Sequence, residues 1–292
     1  MAICEDGSVV GSVSGGCIED DIAARYRELA GNPSPQVLKY GVEAEEAHRF
    51  GLPCGGTIEL LFEPNPDPAL LKSLLNEIRQ GHLVKRQIRL CDGQVRLTRV
   101  HSSTGLAMDD TTLETTFGPQ YRMLLIGAGQ LAEYLATMAI FNEFTVTVCD
   151  PRSEYNRSWQ LTGTTLKTGM PDDVVVDFRP DHRSCVIALT HDPKLDDLAL
   201  LAALHTDAFY VGAIGSRRND AARRERMERY LEQPPELIAK LRGPVGLYIG
   251  SKTPAEIAVS IMAEVIAIRN GITPPTGYSV RAAKDAAEPL HI

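Results

Sequence analysis

Two cysteines of this sequence stand among glycines in turns that suit contact with a bulky ligand. Cys17 ends the run SGGC at residues 14–17, and Cys54 opens the run CGG at residues 54–56. Glycine has no side chain, so both turns leave the backbone accessible to a ligand. The glycines of the two turns are Gly15, Gly16, Gly55 and Gly56.

Cys17 also falls in the first turn of a predicted helix. Free N–H groups and the positive end of the helix dipole favour thiolate over thiol at such a position. Cys17 is therefore a candidate reactive or metal-ligating sulfur. A small buried thiol packed under the turn is the alternative interpretation of the same residue.

A second set of candidate contacts begins at a glycine turn between two predicted strands. The run YRMLLIGAGQLAEYLATMAIFNEFTVTVCD at residues 121–150 predicts strand, glycine turn, helix and strand. Gly127 permits a tight turn, and Gly129 lets the backbone approach a phosphate. Asp150 closes the second strand, about where an acidic side chain meets a ribose 2′-hydroxyl in such folds. These features indicate a nucleotide-binding half; helix-on-sheet packing is the alternative explanation of the glycines.

Further candidates follow the later strands. His191 comes after the apolar run CVIALT, and the segment GAIGS contains Gly212, Gly215 and Ser216. Ligands of doubly wound sheets lie at the carboxyl ends of the strands, so we expect these residues and the first glycine turn to line one edge. His191 suits a general base, a neighbour of a phosphate or metal, or a histidine that hydrogen-bonds locally.

Composition excludes several classes of function. A net charge of −8 and a pI near 5.4 argue against a nucleic-acid-binding face. No apolar run approaches the roughly 18 residues of a membrane span, and the N-terminus lacks the features of a signal peptide. Six scattered cysteines favour free thiols over a disulfide framework. We therefore expect a cytoplasmic protein with no membrane span.

The predicted elements define an α/β protein with two domains. Residues 1–100 predict a mixed α+β domain that carries both cysteine motifs, and the polar stretch 101–118 predicts an interdomain linker. Residues 119–273 predict a Rossmann-type, doubly wound parallel sheet, followed by a C-terminal tail, 274–292. Within the second domain, 151–170 is expected to be a polar connection and 243–250 a glycine-bounded short strand.

Six segments of the sequence resemble the XdhC/CoxI family, the accessory factors of xanthine dehydrogenase and related molybdenum hydroxylases. They span most of the chain in order, and the combination of SGGC with CGG is specific. The matching segments are GSVSGGCIED at 11–20, FGLPCGGTIELLFEP at 50–64, LLIGAGQLA at 124–132, LTHDPKLDD at 189–197, YVGAIGSRR at 210–218 and GPVGLYIGSKTPAEIAVSIMAEVIA at 243–267.

The resemblance implies a role in maturing a molybdoenzyme. Such a factor binds molybdenum cofactor (molybdopterin), protects it while a cysteine desulfurase installs its sulfido ligand, and delivers it to a xanthine dehydrogenase-type apo-enzyme. Carried over by motif, Cys17 and Cys54 would contact the cofactor and its molybdenum. The Rossmann cleft would be formed by Gly127, Gly129, Asp150, Gly212, Gly215 and Ser216.

The resemblance also raises an expectation about the start of the chain. Family members usually carry a further segment and a strand before the position of Met1, so the N-terminal domain is expected to lack its first strands. Their loss would leave an unpaired sheet edge.

Two functions of other classes fit the same residues. One is an NAD(P)-dependent oxidoreductase that uses the glycine turn, and the other is a scaffold that docks the target enzyme without binding a cofactor. A dehydrogenase needs a proton-relay residue, and His191 alone is placed for that task. The residues leave homo-oligomer formation open.

Overall fold

The computed structural model describes residues 1–14, 17–41, 57–101 and 105–287. The chain divides into two compact units, Met1–Pro119 and Gln120–Ile292. We call them the N-terminal unit and the C-terminal unit.

The N-terminal unit begins with a small hairpin and a helix packed on a two-stranded sheet. The hairpin and the sheet are both antiparallel. On the inner face of the helix, Ile18, Ile22 and Leu29 pack with Tyr40 of the sheet, at the spacing of one side of a helix. These elements are β1 (Ala2–Ile3), β2 (Val9–Val10), α1 (Cys17–Ala30), β3 (Gln36–Tyr40) and β4 (Ile58–Phe62).

The rest of the N-terminal unit is a helix and a four-stranded sheet. The strands follow the order β6-β5-β8-β7, and every neighbouring pair is antiparallel. These elements are α2 (Pro68–Arg79), β5 (Leu83–Arg89), β6 (Val95–Val100), β7 (Ala107–Met108) and β8 (Thr112–Phe117).

The prediction of a linker over 101–118 was wrong for its second half. Thr112–Phe117 pairs with residues 84–89 of β5, and Ala107–Met108 extends the sheet. The polar composition of TLETTF suggested a loop, but threonine favours strands because its branched side chain fits a pleated, half-exposed surface. Partial exposure of this sheet accounts for its polar residues.

The C-terminal unit is built on a six-stranded, wholly parallel sheet of order β11-β10-β9-β12-β13-β14. The chain runs outward from β9 in one direction and then from β12 in the other, so the topological switch lies between these two strands. The strands are β9 (Arg122–Ile126), β10 (Thr145–Cys149), β11 (Thr164–Lys167), β12 (Ser184–Ala188), β13 (Tyr210–Ala213) and β14 (Leu241–Arg242).

Helices cover both faces of this sheet. Apolar residues of α3 and α9 form one buried cluster with the sheet, and residues of α5, α6 and α7 form the other. The predicted α/β class and the doubly wound Rossmann-type sheet are confirmed. The helices are α3 (Gln130–Phe141), α4 (Ser153–Asn156), α5 (Pro171–Phe178), α6 (Pro193–Leu204), α7 (Arg217–Arg229), α8 (Pro235–Ile238), α9 (Pro254–Arg269) and α10 (Val280–Ala287).

Three segments of the C-terminal unit differ from the predictions. The connection 151–170 contains α4 and the edge strand β11. The sixth strand is Leu241–Arg242, before the segment 243–250 that we predicted, because Pro244 has no N–H to donate to a ladder. The tail from 274 contains a 3₁₀ turn and α10. Among the helices of the described residues, none is both long and apolar enough to cross a membrane.

Candidate functional site

The first glycine turn lies where β9 ends, against the loop that follows β12. Gly127 has φ of +109°, a conformation that residues with a side chain rarely adopt. A Cβ at this position would lie 3.0 Å from Cγ2 of Thr190, so the turn and the neighbouring loop are in contact. The N–H of Gly127 donates to the carbonyl of Cys149 at 2.7 Å. Glycine is required here for both conformation and packing.

Gly129 differs from Gly127 because it is open. It is the N-cap of α3, a Cβ built on it would meet nothing within 4 Å, and no side chain caps the helix start. The first N–H groups of a helix have no partner inside the helix, and they favour anions. The start of α3 is therefore a candidate position for a phosphate.

Asp150 is fully buried at the end of β10, and its carboxylate is held by four hydrogen bonds. Oδ2 accepts from the N–H of Ala128 at 2.9 Å and from Nη2 of Arg152 at 2.8 Å. Oδ1 accepts from the N–H and the Nε of Arg152, at 3.0 and 2.9 Å. Burial opposes ionisation, but the hydrogen bonds from Arg152 and Ala128 outweigh it and lower the pKa of Asp150.

Arg152 was not among the predicted contacts. Its guanidinium lies 4.0 Å from the ring centroid of Tyr155, so the side chain is fixed on one side by a carboxylate and on another by an aromatic face. The available signal was its position two residues after the acid that closes the second strand.

The loop after β12 is fixed by Asp196, a fully buried residue of α6. Oδ1 of Asp196 accepts from Oγ1 of Thr190 at 2.7 Å and from its N–H at 3.3 Å. Burial raises the pKa of Asp196 above its usual value. His191 follows with φ of +63° and an exposed side chain, whose ring forms no hydrogen bond with the described residues. The predicted contact role of His191 stays a prediction.

Two arginines of α7 turn inward, although the interspersed arginine and glutamate residues of this helix are typical of a solvated face. Nε of Arg223, a residue that is 4% exposed, donates to Asp197 at 3.1 Å. Its Nη1 and Nη2 reach the carbonyl of Ile214 at 3.5 Å, in the loop after β13. Arg224 pairs with the buried Asp220 at 2.9 Å. Asp220 lies one turn away in the same helix, whereas Asp197 belongs to α6, so spacing alone could not show the partner of Arg223.

The segment GAIGS divides between the strand and the edge of the sheet. Gly212 lies inside β13, where a Cβ would come within 2.4 Å of Cγ1 of Val245, so its small size serves packing. Gly215 and Ser216 follow the strand, and Oγ of Ser216 accepts from the N–H of Asn219 at 3.1 Å as the N-cap of α7. Ligand contact by these residues remains a prediction.

A buried glutamate of α9 holds the glycine-rich loop that follows β14. Oε2 of Glu264 accepts from the N–H of Gly246 at 2.7 Å and from Oη of Tyr210 at 2.6 Å. Arg242 lies 3.2 Å from its Oε1. Burial and the charge of Glu264 raise the pKa of Tyr210 well above its usual value. Sequence reasoning missed Glu264, although a glutamate within an apolar helix is a signal of a buried polar partner.

In the N-terminal unit, Cys17 is the first residue of α1 and its side chain is exposed. The preceding loop is folded around the carboxylate of Glu19. Oε1 accepts from the N–H groups of Val13 and Ser14, both at 2.7 Å, and from Oγ of Ser12 at 2.6 Å. Oε2 accepts from Oγ of Ser14 at 2.7 Å. Glu19, which the sequence did not single out, fixes the loop that leads to Cys17.

The second cysteine motif lies outside the described residues, as do the two glycines before Cys17. Convergence of the two motifs therefore stays a prediction. Within the described residues, His, Cys, Asp and Glu do not form a group of three that could hold a metal ion. The residues outside the description are Gly15, Gly16, Cys54, Gly55 and Gly56.

A cavity of about 940 Å³ lies in the N-terminal unit between the hairpin, α1 and the sheet of β3 and β4. Its lining is largely apolar but includes Cys4, Tyr26 and Glu63. Cys17 is not among the lining residues, so this cavity and the exposed thiol are separate features.

Two family models match this chain, one within each of its two units. Residues 123–265 match the family model described as the XdhC Rossmann domain, and residues 1–41 match the model of the XdhC and CoxI family. A molybdenum cofactor insertion chaperone, PaoD of Escherichia coli, is 27% identical over 269 residues, covering 92% of this chain and 77% of that protein.

Two Bacillus proteins are also similar over most of their lengths. A probable xanthine dehydrogenase subunit of Bacillus subtilis is 25% identical over 300 residues, covering 93% of this chain and 88% of that protein. The crystal structure of a protein of Bacillus halodurans, described as a xanthine dehydrogenase, matches with a TM-score of 0.75 and 25% identity. That match covers 96% of this chain and 88% of the other.

Proposed function

The chain belongs to the XdhC and CoxI family, and on that premise we propose that it is a maturation factor for a xanthine dehydrogenase-type molybdoenzyme. It binds molybdenum cofactor as cargo in the cytoplasm, holds it while a cysteine desulfurase supplies the sulfido ligand, and delivers it to the apo-enzyme. The E. coli relative, a molybdenum cofactor insertion chaperone, supports this role.

The observation that carries the proposal is the exposed thiol of Cys17 at the start of α1. A thiolate is a soft ligand that suits a dithiolene-bound molybdenum with an open position. Residues 12–14, shortly before Cys17, are held around Glu19 by two backbone and two hydroxyl donors. In this proposal Cys54 supplies a second thiol.

In the C-terminal unit, the Rossmann edge offers a candidate position for a phosphate-bearing ligand. The cofactor carries an anionic phosphate, and the uncapped start of α3 at Gly129 offers N–H groups with no side chain in the way. The contacts that we propose between the glycine turns and the cofactor phosphate therefore need only backbone N–H groups as donors.

The oxidoreductase alternative has less support from the residues at this edge. His191, the residue placed to relay a proton, forms no hydrogen bond with any described residue that would orient it. The carboxylate of Asp150 already accepts four hydrogen bonds, which leaves little capacity for the ribose diol of an unphosphorylated dinucleotide.

The proposal is tested by purifying the full chain from cells that make molybdopterin and assaying bound molybdenum and pterin. We expect Cys17→Ala and Cys54→Ala to lower cofactor retention at least about tenfold, since losing even an outer-shell partner of a metal costs about 10–100-fold in affinity. Cys91→Ala, which removes another exposed thiol of the N-terminal unit, is the matched control and should retain the cofactor.

Circular dichroism should show that both cysteine variants remain folded. Unchanged retention in both variants would overturn the proposed role of the thiols. Absence of cofactor from the wild-type chain, together with tight NAD(P)H binding, would favour the oxidoreductase.

A further inference from the structure

We propose that Arg152 recognises a phosphate monoester of the ligand in the Rossmann cleft, and that Asp150 serves to hold Arg152 rather than to bind a ribose diol. The inference rests on the part of the proposed function that brings a ligand to this cleft. The inference gives this part of the cleft a preference for phosphate, whereas the sequence alone placed Asp150 where an acid meets a ribose 2′-hydroxyl.

The first step of the argument is the hydrogen-bonding capacity of Asp150. An ionised carboxylate has about four lone-pair positions. Four donors occupy the two oxygens, three of them from Arg152 and one from Ala128. The side chain is 0% exposed. A ribose hydroxyl could therefore bind Asp150 only by displacing Arg152. The usual contact of an unphosphorylated dinucleotide, from its ribose 2′-hydroxyl to the acid, is therefore blocked here.

The second step is the direction of the ion pair. The Asp150 side chain is 0% exposed, whereas the Arg152 side chain is 26% exposed. Although the pair is neutral overall, its positive end faces outward and its negative end faces the protein. Arg152 uses Nε and Nη2 for Asp150, and its Nη1 makes no hydrogen bond with the described residues. N–H donors remain for an incoming anion.

The third step is rigidity. The guanidinium lies 4.0 Å from the ring centroid of Tyr155 and is bound side-on by the carboxylate, so its plane is fixed before a ligand arrives. A planar, pre-oriented guanidinium matches the geometry of phosphate oxygens, and less side-chain entropy is lost on binding.

The fourth step is position. Asp150 and Arg152 follow β10, the second strand of the fold, and the N–H of Ala128 links them to the glycine turn. At this place Rossmann folds bind the 2′-hydroxyl of a ribose through an acid, or a 2′-phosphate through a nearby arginine. The geometry found here is that of the second case. The shared chemistry is a phosphate monoester, which a 2′-phosphorylated dinucleotide and a pterin cofactor both carry.

The test uses the single tryptophan of the chain, Trp159, which lies seven residues after Arg152. The full-length protein is titrated with NADP⁺ and with NAD⁺ while the fluorescence of Trp159 is followed, and calorimetry checks each affinity. Molybdenum and pterin retention is measured on the same variants in cofactor-producing cells. The dinucleotides differ by one phosphate, so their ratio isolates its recognition.

We expect Arg152→Gln to weaken binding of the phosphate-bearing ligand about 10- to 150-fold, the effect of losing a charge-assisted hydrogen bond. Arg157→Gln is the matched control. It removes the same charge from an exposed side chain that lies five residues after Arg152. Asp150→Asn should also weaken binding of the phosphate-bearing ligand, because it removes the acceptor that holds Arg152, whereas loss of a ribose-binding acid would weaken binding of NAD⁺ instead.

Two outcomes support the inference and separate its sources. If the wild-type chain prefers NADP⁺ and Arg152→Gln removes that preference, the ligand phosphate is that of a dinucleotide. If Arg152→Gln lowers pterin retention and the chain binds no dinucleotide, the ligand phosphate is that of the pterin. NAD⁺ binding as tight as NADP⁺, or unchanged binding of every phosphate-bearing ligand in Arg152→Gln, overturns it. Retention that is lost in Cys17→Ala but unchanged in Arg152→Gln, together with no preference for NADP⁺ in the wild-type chain, overturns this inference alone and leaves the proposed function standing.

Discussion

Replacing Glu19 by alanine tests whether this side chain holds the loop that leads to Cys17. The variant removes the acceptor of two backbone N–H groups and two serine hydroxyls, at 2.6–2.7 Å in the wild-type structure. Hydrogen bonds to a charged group contribute about 1.5–3 kcal/mol each when buried. Three of these four are exposed, so we discount the sum to about 2–4 kcal/mol of loop-closing free energy.

That free energy has a direct kinetic consequence for the two backbone donors. If the loop opens to exchange, the amide hydrogens of Val13 and Ser14 should exchange about 30- to 700-fold faster in Glu19→Ala, at about 1.4 kcal/mol per tenfold change. Hydrogen exchange followed by NMR or mass spectrometry measures this. Retention of molybdenum cofactor should fall in the same variant, because Cys17 then follows a loop that is no longer held in place.

Asp20→Ala is the matched control, since it removes a neighbouring negative charge from the same helix turn. Its side chain is exposed and makes no hydrogen bond within the described part of the chain. The reasoning is refuted by exchange of Val13 and Ser14 that stays unchanged in Glu19→Ala. Equal acceleration in both variants would also refute it, because the cause would then be the charge of the turn rather than the hydrogen bonds.

Two further predictions concern the C-terminal unit. Glu264→Ala leaves the hydroxyl of Tyr210 and the N–H of Gly246 without their buried acceptor, so chemical denaturation should show a loss of about 3–5 kcal/mol; a loss under about 1 kcal/mol would contradict this. Folding lowers the pKa of Asp150 from its usual value of 3.8. The ionised carboxylate therefore stabilises the folded protein above pH 3.8, and this stabilisation is lost as the pH falls through the pKa of the folded state. The stability difference between wild type and Asp150→Asn should therefore shrink from about pH 6 to about pH 3; a constant difference would contradict the assignment.

Local sequence signals predicted the elements that have clear capping residues or a clear hydrophobic period. The sequence Thr253-Pro254-Ala255-Glu256 is typical of an N-cap, a first-turn proline and a capping box, and α9 begins with both capping hydrogen bonds. The start of α1 at Cys17 and the apolar strand β12 were equally clear, since a helix face and a buried parallel strand have distinct periodicities.

Elements with mixed patterns were missed for a physical reason. The strands at 112–117 and 164–167 expose part of their surface, so polar residues obscure the alternation that would mark them. Partners far apart in the chain were missed as well. Nothing in the spacing of the sequence links Glu264 to Gly246, or Arg223 to Asp197, because these contacts depend on how α9 and α7 pack.

Four buried charges of the C-terminal unit have one property in common: each fixes a loop that follows a strand of the parallel sheet. Asp150 binds the turn after β9, Asp196 the loop after β12, Arg223 the carbonyl of Ile214 after β13, and Glu264 the loop after β14. Buried ion pairs add little net stability, and apolar replacements are often neutral or better. Stability therefore does not account for four such contacts at strand ends. Holding these loops in place at the edge where doubly wound sheets bind ligands does account for them, and a fixed edge suits the phosphate recognition that we propose.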